Sequence, residues 1–305
     1  MVPELRKVGG HDVLFLSRVD STMDFARRFL EFRSRANPGI GHESPSAVYE
    51  KGEGAIEGAR KTQSLQGMRR EITPDGFAVV ADYQWAGRGR RGARWICPPG
   101  RGLLMTVVLL EPENGLDAGT MSQMVSIAVV DACAETVGVD AFIKWPNDVA
   151  VMRDGLRKLG GVLVERIPHQ PGFANLAGVG INIGASADDL PPRCAYRPAS
   201  LAEEGVRTPT RDALLETLLK RMDYWRGGPP ERIRMEWRSR TRMAGARVVI
   251  ATEEGQLAGE VDSVKDDGAL EVGQSDGTIV RIRPEEGRVI SIEFGDSSGR
   301  DGRDK

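Results

Sequence analysis

A run of buried-strand character, Phe77 to Tyr83, leads into Gly87-Arg88-Gly89-Arg90-Arg91-Gly92, whose spacing matches GxGxxG. That spacing invites a dinucleotide-binding reading, in which the loop opens a helix aimed at a pyrophosphate. The residues that follow forbid it. Trp95-Ile96-Cys97-Pro98-Pro99-Gly100 carries two prolines and a glycine and cannot continue a helix, and the next apolar run, Gly102 to Leu110, reads as a strand. The loop therefore needs another purpose. Glycines let backbone approach a ligand, and arginines supply planar donors that pair with phosphate or carboxylate. Such a loop can fold over a phosphate-bearing substrate and neutralise charge that builds in a transition state. A solvated basic turn or a short RNA-binding patch is the plainer alternative.

Hydrophobic periodicity places the other elements. Val13 to Val19 reads as a strand, and Asp20-Ser21-Thr22 as the start of a helix carrying Phe25, Ala26, Phe29 and Leu30. Periodicity dissolves between about Ser34 and Asp75. Gly52 to Thr62, GEGAIEGARKT, superficially resembles a phosphate-binding P-loop, but GxxxxGK[ST] is not met and no strand precedes it. Thr120 to Thr136 reads as a helix and Ile143 to Trp145 as a short strand. Val149 to Met152 and Leu159 to Glu165 read as a hairpin, and Ala174 to Ile183 as one more strand. Arg211 to Trp225 and Pro230 to Arg240 read as helices. Beyond Gly245, four short strand-like runs alternate with turns such as Asp266-Asp267-Gly268, the pattern of a small all-β module.

Two further segments carry chemical promise. Lys144-Trp145-Pro146-Asn147-Asp148 sets a cation at a strand end. Gly178-Val179-Gly180-Ile181-Asn182 leaves one strand face bare, open to a ligand or to tight helix packing.

Lys+Arg 42 against Asp+Glu 44 gives a net charge of -2, which speaks against a general nucleic-acid binder. Cys97, Cys133 and Cys194 have no CxxC spacing, and His11, His42 and His169 are scattered, so neither a disulfide scaffold nor a zinc ribbon is indicated. No apolar run suggests a membrane span or a signal-peptide core. A cytoplasmic protein with reduced thiols is the expectation.

Taken together and in order, Asp20-Ser21-Thr22, Ala81 to Trp95 (ADYQWAGRGRRGARW), KWPNDV at Lys144, KLGGVLVE at Lys158 and GVGINIG at Gly178 resemble the biotin protein ligase family. The resemblance implies an α+β fold, with a mixed, antiparallel-rich sheet and helices in a catalytic domain over residues 1–242. Within it, 34–75 is an atypical insert. A small SH3-like β-barrel over 243–294 and a disordered tail at 295–305 follow. It implies ATP and biotin as substrates with Mg²⁺ required, biotinyl-5′-AMP as intermediate, and a biotin carboxyl carrier domain as acceptor. Carried over by position, Ser21, Thr22 and Met23 meet the biotin ring system, Gln84 the carboxyl end, and Gly87 the tail. Arg88, Gly89 and Arg90 lie in the loop that orders over the adenylate, with Arg90 limiting its escape. Trp95 packs on adenine, Lys144 stabilises the reacting charge, and Gly178, Gly180 and Asn182 form the floor. Arg90 and Lys144 are the catalytic pair. Asp140 is the candidate acceptor of the target lysine's proton.

Departures from the family are Met23 where Asn is common, Trp85 for a smaller residue, Ala93 for Arg, and Cys97 for Ser. With only about a dozen residues before the first strand, no DNA-binding domain is expected, and no membrane association. An exposed sheet edge can pair with a second copy, giving a homodimer, or with the carrier domain. A lipoate or octanoate ligase, and a non-catalytic biotin or adenylate sensor, are the competing readings.

Overall fold

The computed structural model describes residues 3–35, 72–190, 197–205, 207 and 210–294. Most of the 34–75 insert, the 295–305 tail and Cys194 lie outside the described residues.

Glu4–Val8 (β1) and His11–Val19 (β2) form an antiparallel hairpin. Its turn is Gly9-Gly10, at φ 58 and 94, the conformation that hairpin turns of two residues require. The strand expected to be first is thus the second, because β1 is short and charged and is signalled by its turn alone. Helix α1 (Thr22–Arg35) connects β2 to β3 (Ala78–Gln84), which pair in parallel. β4 (Gly102–Glu111), β5 (Phe142–Lys144), β6 (Asp148–Met152), β7 (Leu156–Pro168) and β8 (Phe173–Asn182) complete the path β1-β2-β3-β4-β8-β7-β6-β5. The short β9 (Arg197–Pro198) joins β7 in parallel; every other pairing along the path except β2–β3 is antiparallel. This is a mixed α+β fold with an antiparallel-rich sheet.

Alternation along the strands decides what each face buries. Val13 and Phe15 join a core that includes Met121, Met124 and Ile127 of α2 (Ala118–Val137). Leu14 and Leu16 point the other way, into a core with Phe25 and Phe29 of α1. The sheet is therefore covered on both faces, by α1 on one and by α2 on the other, with α4 (Arg211–Arg226) and α5 (Pro230–Arg240) packed on α2. Helix α2 starts at Asp117, whose carboxylate accepts from the Thr120 amide at 2.8 Å, and stops at Gly138 in the left-handed conformation. Between β9 and α4 lies a short helix that sequence periodicity did not reveal, α3 (Leu201–Glu204), at whose start the Glu203 carboxylate accepts from the Ser200 amide at 3.3 Å. Among the described residues, no helix is long and apolar enough to cross a membrane.

The C-terminal module is a five-stranded antiparallel sheet: β10 (Arg247–Ala251), β11 (Gln256–Val264), β12 (Leu270–Gly273), β13 (Ile279–Ile282) and β14 (Arg288–Glu293). Its order is β13-β12-β11-β10-β14. β14 was not expected. It pairs with β10 rather than with its neighbour in sequence, so no hairpin turn announces it. The fully buried Trp145 donates its indole N–H to the Gly268 carbonyl at 2.7 Å, and Arg238 meets Asp266 at 2.9 Å. Val248, Ile250, Val261 and Val272 join the same apolar cluster as α2.

Candidate active site

A cleft of about 340 Å³ opens on the α1 side of the sheet. Its position follows from β8. Ala174 and Leu176 fill this face further back, but the next two residues of the same parity are Gly178 and Gly180. Across the sheet, Gly178 lies between Thr106 and Leu163, and Gly180 lies between Leu104 and Gly161. Missing side chains thus leave a trough in an otherwise packed layer. Two side chains lean into it: a Cβ added at Gly178 would stand 2.7 Å from Met23 Cε, and one at Gly180 would stand 2.5 Å from Trp95 Cε2.

One end of the trough is neutral and polar. The Thr22 hydroxyl and amide both donate to Gln84 Oε1, at 3.0 and 2.7 Å, and the Thr22 and Thr106 hydroxyls are 2.9 Å apart. With its one proton given to Gln84, the Thr22 hydroxyl accepts from Thr106. Gln84, expected at the carboxyl end of a ligand, is thus held beside Thr22 at the neutral end of the trough.

The other end carries charge. Lys144 and Asp148 are cross-strand partners in the β5–β6 hairpin, with Nζ 3.6 Å from Oδ2. The Lys158 ammonium binds the other oxygen, Oδ1. Asn147 holds the hairpin turn to β7, its side-chain amide donating to the Val162 carbonyl and its own carbonyl accepting from the Val162 amide. Lys144 is only 4% exposed. Burial pulls its ammonium pKa below the ordinary lysine value; Asp148 opposes this, and Lys158 and Arg90 reinforce it. Burial and the adjacent Arg91 likewise lower the Arg90 pKa, but a guanidinium stays charged at working pH. Lys158 opens the KLGGVLVE segment, but nothing in the sequence places it in the site. Its signal is the register of β6 against β7, which only the folded sheet supplies.

The glycine-arginine loop forms the roof. A Cβ at Gly87 would meet the Trp95 carbonyl oxygen at 2.4 Å, and Trp95 N–H donates to the Gly87 carbonyl at 2.9 Å. Gly87, expected along the ligand's tail, is thus needed to close the loop on itself and is not among the residues that line the cleft. Arg88 is held by Asp24, at 2.8 Å, and by Glu165. Arg90 donates to Asn147 Oδ1 at 3.2 Å and to the Pro284 carbonyl at 2.6 Å. Arg91 donates to the Glu285 carbonyl at 2.5 Å. Residues 287–290 of the C-terminal module complete the wall.

The structure brings Ser21, Thr22, Met23, Gln84, Arg88, Gly89, Arg90, Trp95, Lys144, Gly178 and Gly180 to one cleft. It does not bring Asn182, whose buried amide donates to the Ala199 carbonyl at 3.0 Å beyond the trough. Asp140 is also elsewhere. It is exposed on its side chain by 78% and ion-paired to Arg242 at 2.6 Å, which holds its carboxyl below the usual range, so it is not a base within the site. Among the described residues, no group of three His, Cys, Asp or Glu is placed to hold a metal.

Residues 57–182 match the model of the biotin/lipoate A/B protein ligase family. The chain is 31% identical over 233 residues to the biotin–[acetyl-CoA-carboxylase] ligase of Mycobacterium tuberculosis, covering 73% of this chain and 78% of that one. It is 31% identical over 204 residues to the ligase of the same name from Paracoccus denitrificans, covering 63% and 82%. Its fold is similar to that of the Aquifex aeolicus biotin protein ligase solved with biotin and ATP, at TM-score 0.63, 22% identity and coverage of 91% and 97%.

Proposed function

The chain belongs to the biotin protein ligase family, and we propose that this cleft joins biotin to ATP as biotinyl-5′-AMP and then passes biotin to a lysine of a carboxyl carrier domain. The observation that carries this reading is the trough over Gly178 and Gly180, with a neutral polar end at Thr22, Gln84 and Thr106 and a cationic end at Lys144, Lys158 and Arg90. A ligand with a neutral polar ring, an apolar chain and an anionic terminus matches that order.

In the first step a biotin carboxylate oxygen bonds to the α-phosphorus, and the bond to the bridging oxygen breaks, releasing pyrophosphate. The carboxylate is ionised at neutral pH, since its pKa is near ~4, so no general base is required. The barrier is the approach of an anion to a polyanion. Lys144, Lys158 and Arg90 lower it by placing fixed cations where charge accumulates. Mg²⁺ bound with the nucleotide would offset phosphate charge; it suits phosphate oxygens, waters and one or two carboxylates, and Asp148, the carboxylate on this wall among the described residues, would hold it.

In the second step the acceptor amine nitrogen bonds to the acyl carbon, AMP leaves, and the amine's extra proton is lost to solvent at the mouth. Trp95 lies over the floor where the adenine of the adenylate rests. The C-terminal sheet is read as an SH3-like barrel that closes the nucleotide end, and the protein as cytoplasmic, acting on a carrier domain rather than on DNA or membrane.

The test is ATP–pyrophosphate exchange with biotin, lipoate and octanoate in parallel. Exchange with biotin alone is expected. Exchange with lipoate or octanoate reassigns the acyl substrate, and silence with all three beside measurable biotin binding replaces the enzyme with a sensor.

A further inference from the structure

The roof of the cleft is fastened to a part of the chain nearly two hundred residues away. Arg91 has φ 53, a left-handed conformation that costs a non-glycine residue energy unless its surroundings fix it. What fixes it is the turn between β13 and β14. Arg91 donates to the Glu285 carbonyl at 2.5 Å, and Arg90 donates to the adjacent Pro284 carbonyl at 2.6 Å. The turn is itself rigid. Glu286 accepts from the Arg283 amide at 2.8 Å and pairs with the Arg283 guanidinium at 3.1 Å, while its own amide donates to the Arg283 carbonyl at 3.0 Å. Gly287 is pressed so tightly that a Cβ there would lie 2.6 Å from Ile282 and 2.7 Å from Ile250. Two neighbouring carbonyls are thereby held out as a fixed pair of acceptors for two neighbouring guanidiniums.

We propose that Arg91 is a positioning residue that moors the glycine-arginine loop to the Arg283–Gly287 turn, so that the C-terminal module governs how long the loop retains an acyl adenylate. This rests on the ligase reading above. Arg91 acts through the loop: it sets the backbone from which Arg90 reaches both Asn147 and Pro284.

The experiment compares wild type, Arg91→Ala, Arg91→Lys and Glu286→Ala, using the whole chain. Three quantities are measured: hydrogen exchange of the amides of residues 88–94 without substrates, release of free biotinyl-5′-AMP, and ATP–pyrophosphate exchange with biotin. Glu286 is not part of the cleft wall, yet Glu286→Ala is expected to reproduce Arg91→Ala. Both should speed exchange of the loop amides and release adenylate about tenfold faster, the size of one lost charge-assisted bond. Arg91→Lys keeps a donor and should fall between. Loop exchange in Arg91→Ala equal to wild type overturns the proposal, and this arm stands even if Glu286→Ala unfolds the module. Adenylate leakage from Arg91→Ala with normal retention in a folded Glu286→Ala also overturns it, because Arg91 would then act on substrate alone. Wild type that exchanges no pyrophosphate with biotin refutes the ligase reading instead, and leaves the loop-exchange arm to be read by itself.

Discussion

Lys144 and Arg90 share a cleft but carry charge differently. Lys144 is buried and its ammonium titrates below the ordinary lysine value, whereas Arg90 is tied at two points and keeps its charge. Lys144→Ala should therefore abolish adenylate formation in pyrophosphate exchange. Arg90→Ala should still form adenylate but release it, as free biotinyl-5′-AMP in a filtration assay. Identical phenotypes would refute the separate roles. The pH consequence has a definite sign. The Lys144 cation is present below its folded-state pKa, so adenylation should decline as pH rises through a value lower than that of a free lysine. Lys144→Arg, whatever it costs in geometry, should move that alkaline limb upward in the pH–rate profile. Cys97 and Cys133 should be silent throughout. Burial raises their thiols to about 11 and about 12, so at neutral pH the nucleophilic thiolate is scarce. In mass spectra of alkylated native protein, both should remain unmodified until denaturant is added.

At the scale of the element, β8 makes the cleft by omission. Gly180→Ala places a methyl group against the Trp95 ring. Trp95 must then swing away, and the KM for ATP should rise roughly tenfold, about 1.4 kcal/mol, while the KM for biotin changes less. Equal loss for both substrates would show that Trp95 does not mark the nucleotide end. The alternate glycines were legible in sequence because strand parity is local, as were most strands, α1, α2, α4 and α5. Relations between strands were not. Asp140 and Asp148 both stand four residues from Lys144, and sequence alone offers no reason to choose between them. The β5–β6 hairpin turns Asp148 back onto Lys144, while Asp140 precedes the strand and is taken by Arg242. Lys158 and β14 were missed for the same reason, since register and long-range pairing are not local properties. Asn182 shares the parity of Gly180 but has moved past the end of the trough to the Ala199 carbonyl.

At the scale of the whole molecule, the two sheets are joined by polar contacts set within a continuous apolar core. Trp145→Phe keeps most of that packing but strands the buried Gly268 carbonyl. A loss of roughly 1–3 kcal/mol in urea unfolding is expected, and an unchanged midpoint would show the bond to be immaterial. The cleft is walled by residues 21–23 and by residues 287–290, which are far apart in sequence. This has a consequence for biosynthesis. A nascent chain holds no finished cleft until residue 290 has left the ribosome, however much of the larger sheet has already folded. Substrates then meet only chains translated past that point, and whatever stability they lend arrives after the site is made rather than along the way.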